Sequence, residues 1–255
     1  SGSKNVAIGQ SAMISGLSGH YNVAIGNAAL QSNWGGNYNT AIGYTTLRLN
    51  TTGCYNVAVG CRALCSNTTG MRNTALGNGA LLYNTTGNDN FGVGSGAAGS
   101  NTTGYNNNAI GYAALCRNTT GDNNNAIGSN ALYYNTTGGC NVAIGNQTLQ
   151  GNISGHNNFA AGYRGLYCNW GGCYNTSIGC NALYNNTTAS HNTGIGYYAL
   201  NANTTGACNN AIGYGALQTN TTGCFNNAIG ALALLNNTTG EYNTAIGYQA
   251  LRVSL

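Results

Sequence analysis

Apolar and polar residues recur with one fixed period along the whole chain. From Asn39 to Gly60 the sequence reads NTAIGYTTLRLNTTGCYNVAVG, in which the phrase Asn-x-Ala-(Ile/Val)-Gly occurs twice around Asn-Thr-Thr-Gly. The glycine that ends the phrase, here called the anchor glycine, recurs every 17 residues from Gly9 to Gly247. A constant period of this size is typical of a solenoid. The sequence therefore predicts fifteen repeats over residues 1–255 as a single array with no separate domain.

Positions in a repeat are counted below from its anchor glycine. Position −4 is always Asn, position −1 is always apolar, and position +4 is Leu except at Met13 and Ala98. Seventeen residues are too few for a helix-turn-helix unit, and glycine interrupts each apolar segment. Two short strands per repeat fit this pattern, one before the anchor glycine and one around Ala-Leu, with Asn-Thr-Thr-Gly as the wider turn. The prediction is an all-β parallel β-solenoid (a β-roll) of fifteen 17-residue coils.

In such a stack each residue lies above its equivalent in the neighbouring coil. A polar column must then be self-complementary, and an Asn amide both donates and accepts. A charged column would repel itself, which explains why only 4% of the residues are charged. The predicted Asn ladder comprises Asn5, Asn22, Asn39, Asn56, Asn73, Asn90, Asn107, Asn124, Asn141, Asn158, Asn175, Asn192, Asn209, Asn226 and Asn243.

Both faces of each predicted strand carry apolar columns, so one column must face the interior. Phe91 and Phe159 occupy position −3 in repeats where Ala98 or Ala161 replaces a usual Leu or Ile. A large residue gained beside one lost suggests a shared interior volume. The sequence thus favours Ile and Leu inside and the Ala columns outside.

Composition excludes several function classes. The seven basic residues are scattered, so the formal charge of +4 reflects a shortage of acids, and nucleic-acid binding is not expected. The three acids and three histidines lie on separate repeats, which predicts no enzyme active site, no metal site and no cofactor. The longest apolar run is too short to span a membrane.

The phrase N-x-A-I-G-x-x-A-L resembles the head repeats of trimeric autotransporter adhesins. The N-T-T-G spacer is similar to arrays in tail-fibre-like proteins. The resemblance covers all fifteen repeats. It implies a left-handed parallel β-roll, a homotrimer and a role in surface attachment, outside the cell or on a cell or virion surface.

The two ends of the chain fall at one point of the repeat. Leu255 followed by Ser1 and Gly2 would reproduce Leu17-Ser18-Gly19. An uncapped coil end exposes unpaired backbone groups. Two interpretations stay open: a filament formed by end-to-end stacking, or cut points within a longer array.

Two residue types suggest covalent modification. Ten cysteines indicate an oxidising location if they pair, and the spacing allows Cys168 with Cys173, Cys208 with Cys224, and Cys54 with Cys65. The N-x-(S/T) sequence is an N-glycosylation acceptor, although turn formation is an equally ordinary use. These possible acceptors are Asn50, Asn67, Asn84, Asn101, Asn118, Asn135, Asn152, Asn186, Asn203, Asn220 and Asn237.

The function expected from these features is a structural extracellular fibre or filament subunit, adhesin-like and self-associating. The alternative is an ice-binding or glycan-binding solenoid. Ice binding would need regular Thr ranks on a flat face, whereas these Thr pairs are adjacent and in turns. Eighteen tyrosines concentrate at positions −5 and +1, which suits contact with surface glycans or with a neighbouring fibre.

Overall fold

A computed structural model describes residues 2–15 and 18–252. It confirms the predicted fold class, because the chain is an all-β parallel β-solenoid with one strand per repeat. The described residues contain no helix, hence none long and apolar enough to cross a membrane. The strands are β1 (Val6–Ile8), β2 (Val23–Ile25), β3 (Thr40–Ile42), β4 (Val57–Val59), β5 (Thr74–Leu76), β6 (Phe91–Val93), β7 (Asn108–Ile110), β8 (Asn125–Ile127), β9 (Val142–Ile144), β10 (Phe159–Ala161), β11 (Thr176–Ile178), β12 (Thr193–Ile195), β13 (Asn210–Ile212), β14 (Asn227–Ile229) and β15 (Thr244–Ile246).

The chain divides into two compact units, Ser1–Asn124 with β1 to β7 and Asn125–Leu255 with β8 to β15. Within each unit the strands pair in parallel and in chain order, and every residue faces its equivalent 17 positions away. In β2 and β3, for example, Ala24 pairs with Ala41. The like-on-like stacking predicted from the period is therefore confirmed within each unit.

In residues 2–15 and 18–252 the predicted second strand around Ala-Leu is absent, and turns take its place. Three positions in every coil, −5, +2 and +4, have a left-handed backbone, and φ is 46° to 61° for the 42 residues at these positions that are not glycine. These turns are nevertheless hydrogen-bonded to both neighbours. The Ala28 N–H donates to Gln10 O of the preceding coil at 2.9 Å, and the Leu30 N–H donates to Thr46 O of the following coil at 3.0 Å. A left-handed residue costs about 1–2 kcal/mol, and these paired amides help to offset that cost.

The interior is also different from the prediction. The middle residue of β2 to β15 is buried, so the Ala column faces inward and the Ile column faces outward. The Leu column is inside, as predicted: Leu30 and its leucine equivalents up to Leu234 are fully buried, whereas Leu251 in the last coil is exposed. A Cβ on Gly92 would lie 3.2 Å from Cγ of Leu81, which shows how closely the Leu column approaches the strand. Only a small residue fits at position −2 because Leu occupies the remaining interior.

The argument from the two phenylalanines was wrong. Phe91 is 37% exposed and Phe159 is 39% exposed, and both lie on the outer face of the strand. Phe159 and Ala161 flank the buried Ala160, so their shared volume is on the surface rather than in the core.

Each anchor glycine has a φ between 120° and 138°. A side chain is strained in that region whatever the space around it. The space is also absent, since a Cβ on Gly60 would lie 2.6 Å from Gly77 O in the next coil. Backbone conformation and close coil stacking thus both require glycine at this position.

Candidate functional site

The predicted Asn column at position −4 forms a ladder, here called the strand ladder. In each unit the side-chain Oδ1 of one Asn accepts the backbone N–H of the next Asn, at 2.8–3.0 Å. The Nδ2 of Asn39 donates to Gly53 O at 2.8 Å, in the turn that precedes the next coil's strand. Direct amide–amide bonds, where present, are longer, at 3.1–3.2 Å. The main role of the ladder is therefore to join side chain to backbone.

A second ladder, the turn ladder, is built by the Asn of Asn-Thr-Thr-Gly at position +7. Asn84 is representative: its Nδ2 donates to Asn67 Oδ1 at 2.9 Å and to Gly87 O at 3.0 Å, and its Oδ1 accepts Asn101 Nδ2 at 2.8 Å. Both amide protons and the oxygen are used. Asn33 and Asn169 belong to the ladder although they lie in Asn-Trp-Gly-Gly, so the ladder follows the Asn rather than the N-x-(S/T) sequence.

The two ladders meet at one atom in each turn. Gly53 O accepts Nδ2 of Asn39 from the strand ladder and Nδ2 of Asn50 from the turn ladder, at 2.8 and 2.9 Å. The carbonyl of Ala189 takes the same two bonds, from Asn175 and Asn186. This shared acceptor ties strand to turn within the coil. The sequence predicted the first ladder and missed the second, although an Asn at +7 in every repeat from Asn33 to Asn237 was the available signal.

The turn ladder argues against the predicted glycosylation. All eleven candidate acceptor residues have exposures of 2% or less. A glycan is attached at Nδ2, and this nitrogen is inside the coil with both protons donated, as in Asn203. Attachment in the folded protein would break two buried hydrogen bonds and push a bulky group into the interior.

All ten cysteines are free thiols in the structure. The Sγ of Cys173 lies 3.2 Å from Nδ1 of His156 and donates to Gly171 O at 3.3 Å, while Cys54 Sγ accepts the Asn37 N–H at 3.3 Å. Burial raises the pKa of the Cys168 thiol. None of the predicted pairs Cys168–Cys173, Cys208–Cys224 and Cys54–Cys65 is bonded, and whether they form in an oxidising compartment stays a prediction.

The two threonines of each Asn-Thr-Thr-Gly turn are used differently. The first donates its hydroxyl to the next coil, as Thr68 does to Thr85 O at 3.0 Å. The second, such as Thr69, is exposed. The exposed second threonines thus form a single row along the coils instead of the paired rows of a flat Thr face.

Aromatic residues stack in columns, as their spacing indicated. At position −5 the rings of Tyr21, Tyr38 and Tyr55 are parallel, with centroids 4.9 and 5.0 Å apart. The same column holds a two-pronged ion pair in which Arg72 Nε and Nη2 lie 2.6 and 2.8 Å from the Asp89 carboxylate. The hydrogen bond from Arg72 lowers the pKa of Asp89. Both groups are well exposed, so this pair adds little stability.

The outer face of the strands is here called the strand face. Its column at position −1 is Ile, Val, Leu or Ala in every coil, whereas position −3 beside it is Val or Phe in six coils and Thr or Asn in nine. Ile110 is 37% exposed in the first unit and Ile144 is 42% exposed in the second. Three residues per strand and coils about 4.8 Å apart give each unit a strand face on the order of 300–400 Å². Within this face the position −1 column is the continuous apolar stripe.

Within residues 2–15 and 18–252, no three His, Cys, Asp or Glu side chains come together as a metal ion would require. Comparison with known proteins found no matching family model, no matching curated protein and no matching solved structure.

Proposed function

We propose that this chain is the repeat region of a structural extracellular fibre whose copies associate laterally through the strand face. The observation that carries the proposal is the exposed apolar column at position −1, repeated on every coil of both units. An apolar stripe of this length gains free energy when a partner removes it from water, at about 25 cal/mol per Å². The resemblance to adhesin head repeats supports the extracellular setting and a role in attachment.

A second copy of the chain is the partner that fits best. Its strand face has the same coil spacing, so the Ile residues of one copy can lie between those of the other along the whole contact. A partner whose contact residues do not repeat at the strand spacing of about 4.8 Å would lose this match after a few coils. The ladders satisfy the Asn amides inside each unit, so the exposed apolar column of the strand face is where association gains most.

The test places charge on the strand face. The variant Ile144→Glu with Ile178→Glu changes two exposed residues of the second unit. The matched control, Thr137→Glu with Thr188→Glu, places the same charges on exposed turn threonines of the same unit. Sedimentation velocity and negative-stain imaging measure the assembly of each protein, and circular dichroism checks that each remains folded.

We expect the wild-type and control proteins to form dimers, trimers or bundles, and the strand-face variant to be monomeric. A wild-type protein that is monomeric at tens of micromolar would contradict the proposal. So would a strand-face variant that assembles like the wild type, which would move assembly to the coil ends or another surface.

A further inference from the structure

A groove in the first unit is lined by two arginines from consecutive coils. Arg48 comes from the coil anchored at Gly43, and Arg62 and Cys65 come from the coil anchored at Gly60. Tyr44 and Thr45 complete a cavity of about 310 Å³. The groove lies between the columns at positions +2 and +5, away from the strand face.

The half-buried side chain of Arg48 has one buried donor atom without a partner. Its Nε is buried and has no hydrogen-bond partner in the described part of the chain. A guanidinium presents five donors, and a buried donor without an acceptor is costly. Arg62 brings a second positive charge to the same cavity, and like charges across a groove repel each other.

No carboxylate lines this groove to balance the charge. The three acids, Asp89, Asp122 and Glu241, lie at positions −5 and −6, in a different part of the coil. Among the described residues the ion pair found is that of Asp89 with Arg72. The two groove arginines therefore leave a site where an anion would be stabilised.

Arg164, which occupies the same position in its coil as Arg62, has hydrogen-bond and ring partners within the protein. Like Arg62 it occupies position +2, but its Nε donates to Gln147 Oε1 at 2.7 Å. Its guanidinium also lies 4.9 Å from the Tyr163 ring and 5.6 Å from the Tyr167 ring. The fold can thus supply an arginine at the position of Arg62 with partners from its own coil and from the preceding one.

We propose that Arg48 and Arg62 bind an oxyanion, a sulfate or carboxylate group. Arginine matches such groups because its planar fork forms two parallel hydrogen bonds to two oxygens. Nε of Arg48 supplies one unpartnered donor, and Arg62, Tyr44 and Thr45 line the same cavity with further groups that can donate hydrogen bonds. The group can belong to a free inorganic anion or to an acidic polysaccharide. This site is independent of lateral association, because none of its residues lies on the strand face.

The experiment follows the arginine side chains by NMR. In ¹⁵N-labelled protein the Nε–Hε signals of Arg48, Arg62 and Arg164 are recorded during titration with sodium sulfate, at ionic strength held constant with sodium chloride. A second titration uses a sulfated hexasaccharide and a third its desulfated form. The variants Arg48→Gln and Arg62→Gln test the site. Arg164→Gln removes one positive charge from the position that Arg62 occupies in its own coil, and it is the matched control.

We expect saturable shifts of the Arg48 and Arg62 signals, with Arg164 unaffected. Each groove variant should weaken binding at least tenfold, and Arg164→Gln should leave it unchanged. Tighter binding of the sulfated hexasaccharide than of sulfate would assign the oxyanion to a polysaccharide, and equal binding would assign it to a free anion. Linear shifts without saturation, or equal shifts at all three arginines, would overturn the proposal, because they would show general ionic screening.

Discussion

Replacing one member of the turn ladder tests whether the ladder holds the coils together. In Asn84→Asp an oxygen takes the place of Nδ2, where it faces Asn67 Oδ1 and Gly87 O, both acceptors. Two hydrogen bonds are lost, and Asn67 Oδ1 is left buried without a donor. Gly87 O keeps its bond from Asn73. At about 0.5–1.5 kcal/mol for each lost bond and about 1–3 kcal/mol for the orphaned acceptor, the free energy of unfolding should fall by about 2–6 kcal/mol, before the cost of burying the charge.

The loss should depend on pH with a definite sign. Burial and two facing oxygens disfavour the carboxylate, so the pKa of the introduced Asp in the folded protein lies above its unfolded value of about 3.9. The folded state then holds the proton more tightly, and the penalty is largest above the folded pKa. It shrinks as the pH falls toward the unfolded value, where a protonated carboxyl can restore one donated bond.

The measurement is guanidinium-induced unfolding at pH 7 and pH 3, with the wild-type difference between the two subtracted. The matched control is Asn88→Asp, four residues further along the chain. Asn88 Oδ1 accepts the Met71 N–H at 2.8 Å, and a natural Asp122 at the same register position accepts the Tyr105 N–H at 2.9 Å. The control should therefore unfold close to wild type. Equal midpoints for Asn84→Asp and Asn88→Asp at pH 7, or no gain for Asn84→Asp at pH 3, would refute a buried, fully bonded ladder.

Two further predictions concern an anchor glycine and the glycosylation acceptors. Gly60→Ala should lower the free energy of unfolding by several kcal/mol, because its Cβ would collide with Gly77. Gly79→Ala should lower it by about 1 kcal/mol, because a Cβ there meets nothing within 4 Å. Thermal and denaturant unfolding measure both variants, and comparable losses would contradict the stacking argument. For the acceptor sequences, folded protein incubated with an oligosaccharyltransferase and a lipid-linked donor should gain no glycan at Asn67 by peptide mass spectrometry, while the unfolded chain is modified; a glycan on the folded protein would show that the turn opens.

The sequence predicted the repeat and the stacking because both depend only on period. It did not predict the interior, since Ala and Ile alternate in the strand and both are apolar. The signal was size: position −2 admits only Ala, Gly92, Gly194 and Ser177, as expected where Leu fills the remaining space. Ser177 stays inside by donating its hydroxyl to Ala182 O at 2.8 Å.

The left-handed backbone at positions −5, +2 and +4 could not be predicted from residue preferences. Leu at +4 disfavours that conformation, yet the stacked hydrogen bonds impose it on Leu30 and its equivalents. Gly79, Gly96 and Gly215 at +2 were a faint indication. The groove arginines were likewise hidden, because Arg48 and Arg62 are 14 residues apart and meet only after the coils stack.

The sameness of the turn ladder has a kinetic consequence. The bond that Asn84 donates to Asn67 is of the same kind as the bond that Asn101 donates to Asn84. A coil that skipped one repeat and docked on the wrong neighbour would therefore satisfy the ladder equally well. Contacts that occur once, such as Arg72 with Asp89, distinguish the correct neighbour only weakly because they are exposed. Correct folding then depends on the order in which coils form rather than on contacts that recognise the right neighbour. A coil that winds onto the one just completed has its proper partner 17 residues away, which is closer along the chain than any wrong partner. We therefore expect the coils to wind in order along the chain, because this order avoids a looped-out repeat.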